Sequence, residues 1–120
     1  MKKTILIAED NSDVLEMMSF MITNLGYQVV EAENGAVAVE KTKQYHPDLI
    51  LMDMAMPEMD GLQATQIIRE VAEFRRLPIV AVTAFDRSYH QKALAAGCDE
   101  VVPKPVDFDG LQPLLSKYLQ

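Results

Sequence analysis

The sequence predicts an α/β fold: a doubly wound (βα)5 sandwich, with a five-stranded parallel sheet covered by helices on both faces. Two observations carry this. Short apolar runs alternate with amphipathic stretches five times at intervals of about twenty residues, the rhythm of βαβ units. The run Leu49-Ile50-Leu51-Met52 is apolar at every position rather than at alternate ones, as a strand buried on both faces requires. Right-handed crossovers then place helices on both sides of one sheet.

The elements follow in order. Thr4-Ile5-Leu6-Ile7-Ala8 reads as the first strand, and the cluster Glu9-Asp10-Asn11-Ser12-Asp13 supplies helix caps. From Val14 to Leu25 the apolar residues recur at three- and four-residue steps, an amphipathic helix closed by Gly26. Gln28 to Ala32 is a second strand. Asn34-Gly35 opens a helix that runs to about Tyr45, and Pro47 follows its end. The third strand, Leu49 to Met52, delivers Asp53 to its end. Pro57 and Gly61 then force an irregular loop, and Asp60 and Gln63, spaced as a capping pair, start a helix carrying Leu62, Ile67, Ile68 and Val71. Pro78 to Thr83 is the fourth strand, Asp86 to Ala96 a helix ended by Gly97, and Glu100-Val101-Val102 a short fifth strand. A last helix spans about Asp107 to Leu119, with Gly110 and Pro113 arguing for a weak or kinked first half.

One hundred and twenty residues is the size of one domain, and the expectation is a single unit over residues 1–120. No repeat, linker or low-complexity segment interrupts it. Hydrophobic residues make up 49% of the chain but never approach the roughly 20 consecutive positions of a membrane span. The apolar run after Met1-Lys2-Lys3-Thr4 is too short for a signal peptide, and a single cysteine, Cys98, excludes an internal disulfide framework. A cytoplasmic protein with no membrane contact is expected. Eleven basic against eighteen acidic side chains give a net charge of -7, which repels a phosphate backbone and argues against direct nucleic-acid binding. The eight methionines read as core filler, with Met17, Met18 and Met21 on the stripe of the first helix.

Function is sought where the strands end. All strands of a parallel sheet open on one edge, and ligands of open α/β sheets bind there. Strand one ends in Glu9-Asp10, strand three in Asp53 and strand four in Thr83, while strand five leads into Lys104-Pro105. Three converging carboxylates repel one another unless a cation is present. Oxygen-only ligands suit a hard divalent ion, and few protein ligands completed by water suit Mg2+ best. Lys104 adds a positive charge and Thr83 a hydroxyl. A carboxylate beside Mg2+ and an ammonium group can attack a phosphoryl centre, because cations neutralise charge on the equatorial oxygens. The competing structural readings are that Asp53 ends a strand as a turn cap, that Glu9 and Asp10 cap the first helix, and that Lys104 is a solvated lysine. Pro103 and Pro105 flank Lys104 and fix its backbone, which favours a site role.

The order Glu9-Asp10, Asp53-x-x-Met56-Pro57-x-Met59-Asp60-Gly61, Val82-Thr83-Ala84 and Lys104-Pro105 resembles the receiver domain of two-component response regulators, and the resemblance covers essentially the whole chain. It implies a flavodoxin-like strand order of 2-1-3-4-5. It implies that Asp53 accepts a phosphoryl group from the phosphohistidine of a sensor histidine kinase or phosphotransfer protein. Asp10 and Asp53 would bind Mg2+ through their carboxylates and Ala55 through its backbone carbonyl, with Glu9 acting mostly through water. Lys104, preceding a cis Lys104-Pro105 bond, would pair with phosphoryl oxygens. Thr83 would move to the phosphoryl group and reshape the α4/β5/α5 face for an unknown downstream protein. Such a protein is a phosphoacceptor switch that phosphorylates and dephosphorylates itself and is no enzyme toward an outside substrate. A stand-alone regulator is the leading expectation, and the end at Tyr118-Leu119-Gln120 permits a receiver cut from a longer chain as well.

Two departures from the resemblance involve three positions. Receivers commonly carry Tyr or Phe three residues before the strand-five lysine, and here that position is Val101, which cannot swing as a ring does. Ala55 and Phe85 are apolar where some members place polar groups near the attacking water, which predicts that Phe85 limits water access and slows dephosphorylation. A phosphohydrolase of the haloacid dehalogenase type is the alternative, but it resembles Asp-x-Asp-x-Thr, and Ala55 occupies the place of its second acid.

Overall fold

The computed structural model describes residues 2–84 and 87–120, with the backbone alone at 87. Its elements run β1 Thr4–Ala8, α1 Ser12–Asn24, β2 Gln28–Ala32, α2 Gly35–Tyr45, β3 Leu49–Asp53, α3 Gly61–Glu70, β4 Ile79–Thr83, α4 Arg87–Ala96, β5 Glu100–Pro103 and α5 Phe108–Leu119. The strands form one parallel sheet in the order β2-β1-β3-β4-β5, the doubly wound arrangement expected. Central β3 and β4 are buried along their whole length, which is why their sequences show no polar alternation.

The strand period of two sorts the core into two layers. Leu6, Ile50, Met52, Ile79 and Ala81 face α2, α3 and α4, while Ile5, Ile7, Leu51, Val80 and Val82 face α1 and α5. Side chains at β3 therefore point alternately into opposite layers, and a register slip of one residue would exchange the two sets. This fixes the strand ends against one another: Asp53 pairs with Val82 and Thr83 with Pro103.

Local chemistry explains the boundaries. Asn11, one residue outside α1, accepts hydrogen bonds from the amides of Asp13 and Val14, so α1 begins at Ser12 rather than Val14. Asn34, Asp60 and Asp107 cap α2, α3 and α5 in the same manner. Gly26 and Gly97 follow α1 and α4 with φ of +99° and +118°. Despite Gly110 and Pro113, α5 is continuous from Phe108 to Leu119. Leu111, Leu114 and Leu115 seat it on the sheet, and burial of such a stripe outweighs the one hydrogen bond proline removes. A short 3-10 turn at Ala72–Phe74, not expected from the sequence, buries Phe74 in the core. Met17 also departs from expectation: it is exposed beside buried Met18. Among the described residues, no helix is long and apolar enough to cross a membrane.

Candidate functional site

The carboxyl edge of the sheet brings Glu9, Asp10, Asp53 and Lys104 together. Asp53 is the last residue of β3, flanked by β1 and β4, and only 2% of its surface is exposed. Its Oδ1 accepts the amide of Ala55 at 3.1 Å and its Oδ2 accepts the Lys104 ammonium at 3.0 Å. The cap of α3 is Asp60, while the bond from the Ala55 amide makes Asp53 a local turn cap as well as a member of the carboxylate cluster. Glu9, equally buried, lies directly after β1: Oε1 is 3.0 Å from Lys104 Nζ and Oε2 accepts the amide of Asn11. Because Asn11 caps α1, neither Glu9 nor Asp10 serves there. Asp10 is exposed at the mouth.

Lys104 reaches this position from the end of β5. Its amide donates to the Thr83 carbonyl at 2.8 Å, prolonging the β4–β5 pairing, and the Lys104-Pro105 bond is cis. Thr83 is itself buried at the end of β4. Ala55 stands exposed two residues beyond Asp53, its amide engaged with the Asp53 carboxylate. Phe85, expected to screen water, lies outside the described residues.

Electrostatically the site is under-neutralised. One carboxylate oxygen from each of Glu9, Asp10 and Asp53 lies within 4.8 Å of the others, and Lys104 supplies one compensating charge. Burial pushes the Asp53 carboxyl up to about 6, assisted by the charge of Glu9 and opposed by the hydrogen bonds from Lys104 and Ala55. Burial pulls the Lys104 ammonium down, but its bonds to Asp53 and Glu9 outweigh that and leave its pKa raised. A donor set of oxygens alone, carrying surplus negative charge and open on the side of Asp10, fits a hard divalent cation such as Mg2+. Glu9 and Asp53 each have both oxygens engaged within the protein, and Asp10, exposed at the mouth, is the most open ligand of the three.

The model of the response regulator receiver domain matches residues 5–116. The chain belongs to the receiver family. It is 32% identical over 120 residues to the polar-differentiation response regulator DivK of Brucella ovis, covering 99% of this chain and 98% of that one. Its fold superposes on the chemotaxis protein CheY4 of Vibrio cholerae with a TM-score of 0.93 at 25% identity, over 99% of this chain and all of the other. The receiver domain of the sensor histidine kinase PA1611 of Pseudomonas aeruginosa matches with a TM-score of 0.92 at 34% identity over 98% of each chain, and its crystal structure has a magnesium ion coordinated in the active site cleft.

Receivers are signalling switches of two-component systems that work with histidine kinases and downstream targets, and they bind Mg2+ in the active site. In this receiver the strand-end residues were legible one by one, whereas the second partner of Lys104 was not. The bond to Glu9 spans the end of β5 and the end of β1, with β3 and β4 lying between them, a relation no local pattern encodes. Also missed was an apolar groove of about 350 Å³ beside Lys104, lined by Val14, Met17, Val82, Ala84 and Val106. The sequence carried no signal for it, because Met17 read as part of the buried stripe of α1.

Proposed function

We propose that this receiver accepts a phosphoryl group on Asp53 from the phosphohistidine of a histidine kinase or phosphotransfer protein and works as a phosphorylation-dependent switch. The observation that carries the reading is the placement of one ammonium, Lys104, within 3.0 Å of both Asp53 and Glu9. In the reaction a carboxylate oxygen of Asp53 bonds to phosphorus as the bond from phosphorus to the donor imidazole nitrogen breaks, and the electron pair leaves with that nitrogen. Burial of Asp53 keeps bulk water away from it, and its bond from Ala55 fixes the carboxylate plane. Lys104 exchanges part of its contact with the carboxylates for the incoming phosphoryl oxygens. Asp10, Asp53 and the Ala55 carbonyl would hold Mg2+, with Glu9 behind them, and the ion when bound supplies charge neutralisation on the transferring oxygens. The same groups assist attack by water, so the phosphorylated state is transient and the protein turns over no outside substrate.

Thr83, at the end of β4, is the group that responds by bonding the phosphoryl oxygens, and the α4/β5/α5 face carries the response to a downstream protein. Val101 packs in the layer beneath α4 and cannot act as a rotating ring, so either the loop holding Ala84, Phe85 and Asp86 carries the coupling or another surface reports phosphorylation. The proposed reading is a single-domain switch of the DivK kind, to which the chain is similar over 98% of that protein's length. Incubation with Mg2+ and acetyl phosphate tests the reading. Parent protein gains one labile phosphoryl group and Asp53→Asn gains none. Sustained release of phosphate with no labelled protein would identify a phosphohydrolase instead.

A further inference from the structure

We propose that Gly35, the first residue of α2, is a positioning residue for the loop that follows Asp53, setting how tightly that loop holds Mg2+. The inference rests on the phosphoacceptor reading above.

The segment between β3 and α3, residues 54–60, carries Ala55 and borders the site. It is pinned at two points by contacts that leave no room for a side chain. At its far end a Cβ on Gly61 would lie 2.3 Å from the carbonyl oxygen of Asp53 itself. At its crest the Gly35 amide donates to the Met59 carbonyl at 2.9 Å, and a Cβ on Gly35 would lie 2.3 Å from that same oxygen and 2.9 Å from the Asp60 carbonyl oxygen. These obstacles are backbone, which cannot move aside as the tip of a flexible side chain can.

Between the two glycines the loop is bent against its preference. Glu58 has φ of +65° and the Met59 amide bonds back to the Pro57 carbonyl at 2.8 Å, a γ-turn of the left-handed kind that a glutamate rarely adopts. A strained turn persists only where its surroundings enforce it. The surroundings here are the start of α2: the amide of Gly35 on Met59, and the Asn34 side chain, whose Nδ2 lies 3.4 Å from Glu58 Oε2 while its Oδ1 caps the helix. The constraint passes directly to the site, since the Gly61 amide bonds the Met54 carbonyl at 3.2 Å and the Ala55 amide bonds Asp53 Oδ1. Adding one methyl group at position 35 pushes Met59 outward, tilts the 54–60 segment and displaces Ala55 from Asp53.

The test is calorimetric titration of Mg2+ into parent and Gly35→Ala at a temperature where circular dichroism shows both folded, with Gly26→Ala as a control. Gly26 has positive φ but no neighbour within 4 Å of its would-be Cβ, so that variant is strained without touching the loop. The expected result is a loss of fivefold or more in Mg2+ affinity for Gly35→Ala and parent affinity for Gly26→Ala. Equal affinity for parent and Gly35→Ala, or an equal loss in the control, overturns the proposal. If Gly35→Ala does not fold, amide exchange in the parent decides. Coupling between sites is reciprocal, so exchange of the Gly35 amide must slow when Mg2+ is bound, and an unchanged rate overturns the proposal. Failure of the phosphoacceptor reading would look different: Mg2+ would act on Gly35 as stated while acetyl phosphate left the parent unlabelled.

Discussion

The ammonium of Lys104 lies 3.0 Å from Oδ2 of Asp53, although 51 positions separate them in the chain. The same nitrogen is 3.0 Å from Glu9 Oε1, so a single cation separates two carboxylates that are each 2% exposed. Removing it as Lys104→Met leaves both acids buried and facing each other, which is expected to cost about 3–5 kcal/mol in the metal-free protein. Mg2+ substitutes for the missing charge and narrows the difference. Urea denaturation of both proteins, with EDTA and with Mg2+, checks this; an identical loss under the two conditions contradicts it.

Asp53 makes the metal-free protein sensitive to pH. Burial raises its carboxyl from 3.8 to about 6. A carboxyl whose folded pKa lies above its unfolded value stabilises the fold at pH below the unfolded value, and that contribution is lost as pH rises through the folded pKa. Metal-free stability is therefore expected to fall on the order of 2–3 kcal/mol between about pH 4 and pH 7 through this group. Asp53→Asn abolishes that slope and is the more stable protein at pH 7. With Mg2+ present the trend reverses, because the ion binds only the deprotonated acids. Thermal unfolding as a function of pH, with and without the ion, reads both signs.

How much of this was legible in the sequence follows from how far each effect reaches. The buried strands announced themselves because β3 and β4 are apolar on both faces, and the caps Asn34, Asp60 and Asp107 act over three residues. Glu9, Asp10, Asp53 and Lys104 were expected to converge because a parallel sheet converts strand ends into neighbours, and they do. What stayed hidden depends on tertiary distance: the bond from Lys104 to Glu9, the seat of Met59 on Gly35, and the 3-10 turn that buries Phe74. Pro113 misled because local propensity was weighed without the leucine stripe that holds α5 down.

On the α5 side, the Tyr118 hydroxyl donates to Glu100 Oε1 at 2.7 Å, and the Lys117 ammonium reaches the same oxygen at 2.8 Å. Hydrogen bonds from Lys117 and Tyr118 hold Glu100 below its ordinary carboxylate range. Tyr118→Phe is expected to cost about 1–2 kcal/mol, whereas Lys117→Ala, whose side chain is largely solvated, costs under about 0.5 kcal/mol. A depressed carboxyl contributes stability above its unfolded pKa and loses it as pH falls through the folded value, so the Tyr118→Phe deficit closes in acid below pH 4.5. Denaturation midpoints at neutral and acid pH measure it.

Arg69 ties three elements at the opposite edge. Its guanidinium donates to the Gly97 carbonyl at 2.9 Å, the Phe74 carbonyl at 2.6 Å and Asp99 Oδ2 at 3.0 Å. Arg69→Met keeps the apolar stem and deletes all three bonds, leaving two backbone carbonyls without this donor. The expected loss is about 2–3 kcal/mol. Hydrogen exchange should show faster opening at the start of β5 than at β3, and uniform acceleration would contradict a local tie.

The account as a whole stands on Asp53 as the single phosphoacceptor. After incubation with Mg2+ and acetyl phosphate, borohydride converts an aspartyl phosphate to homoserine, which peptide mapping locates. The account predicts homoserine at position 53 and at no other acid of the site; conversion at Glu9 or Asp10 with position 53 unmodified would contradict it.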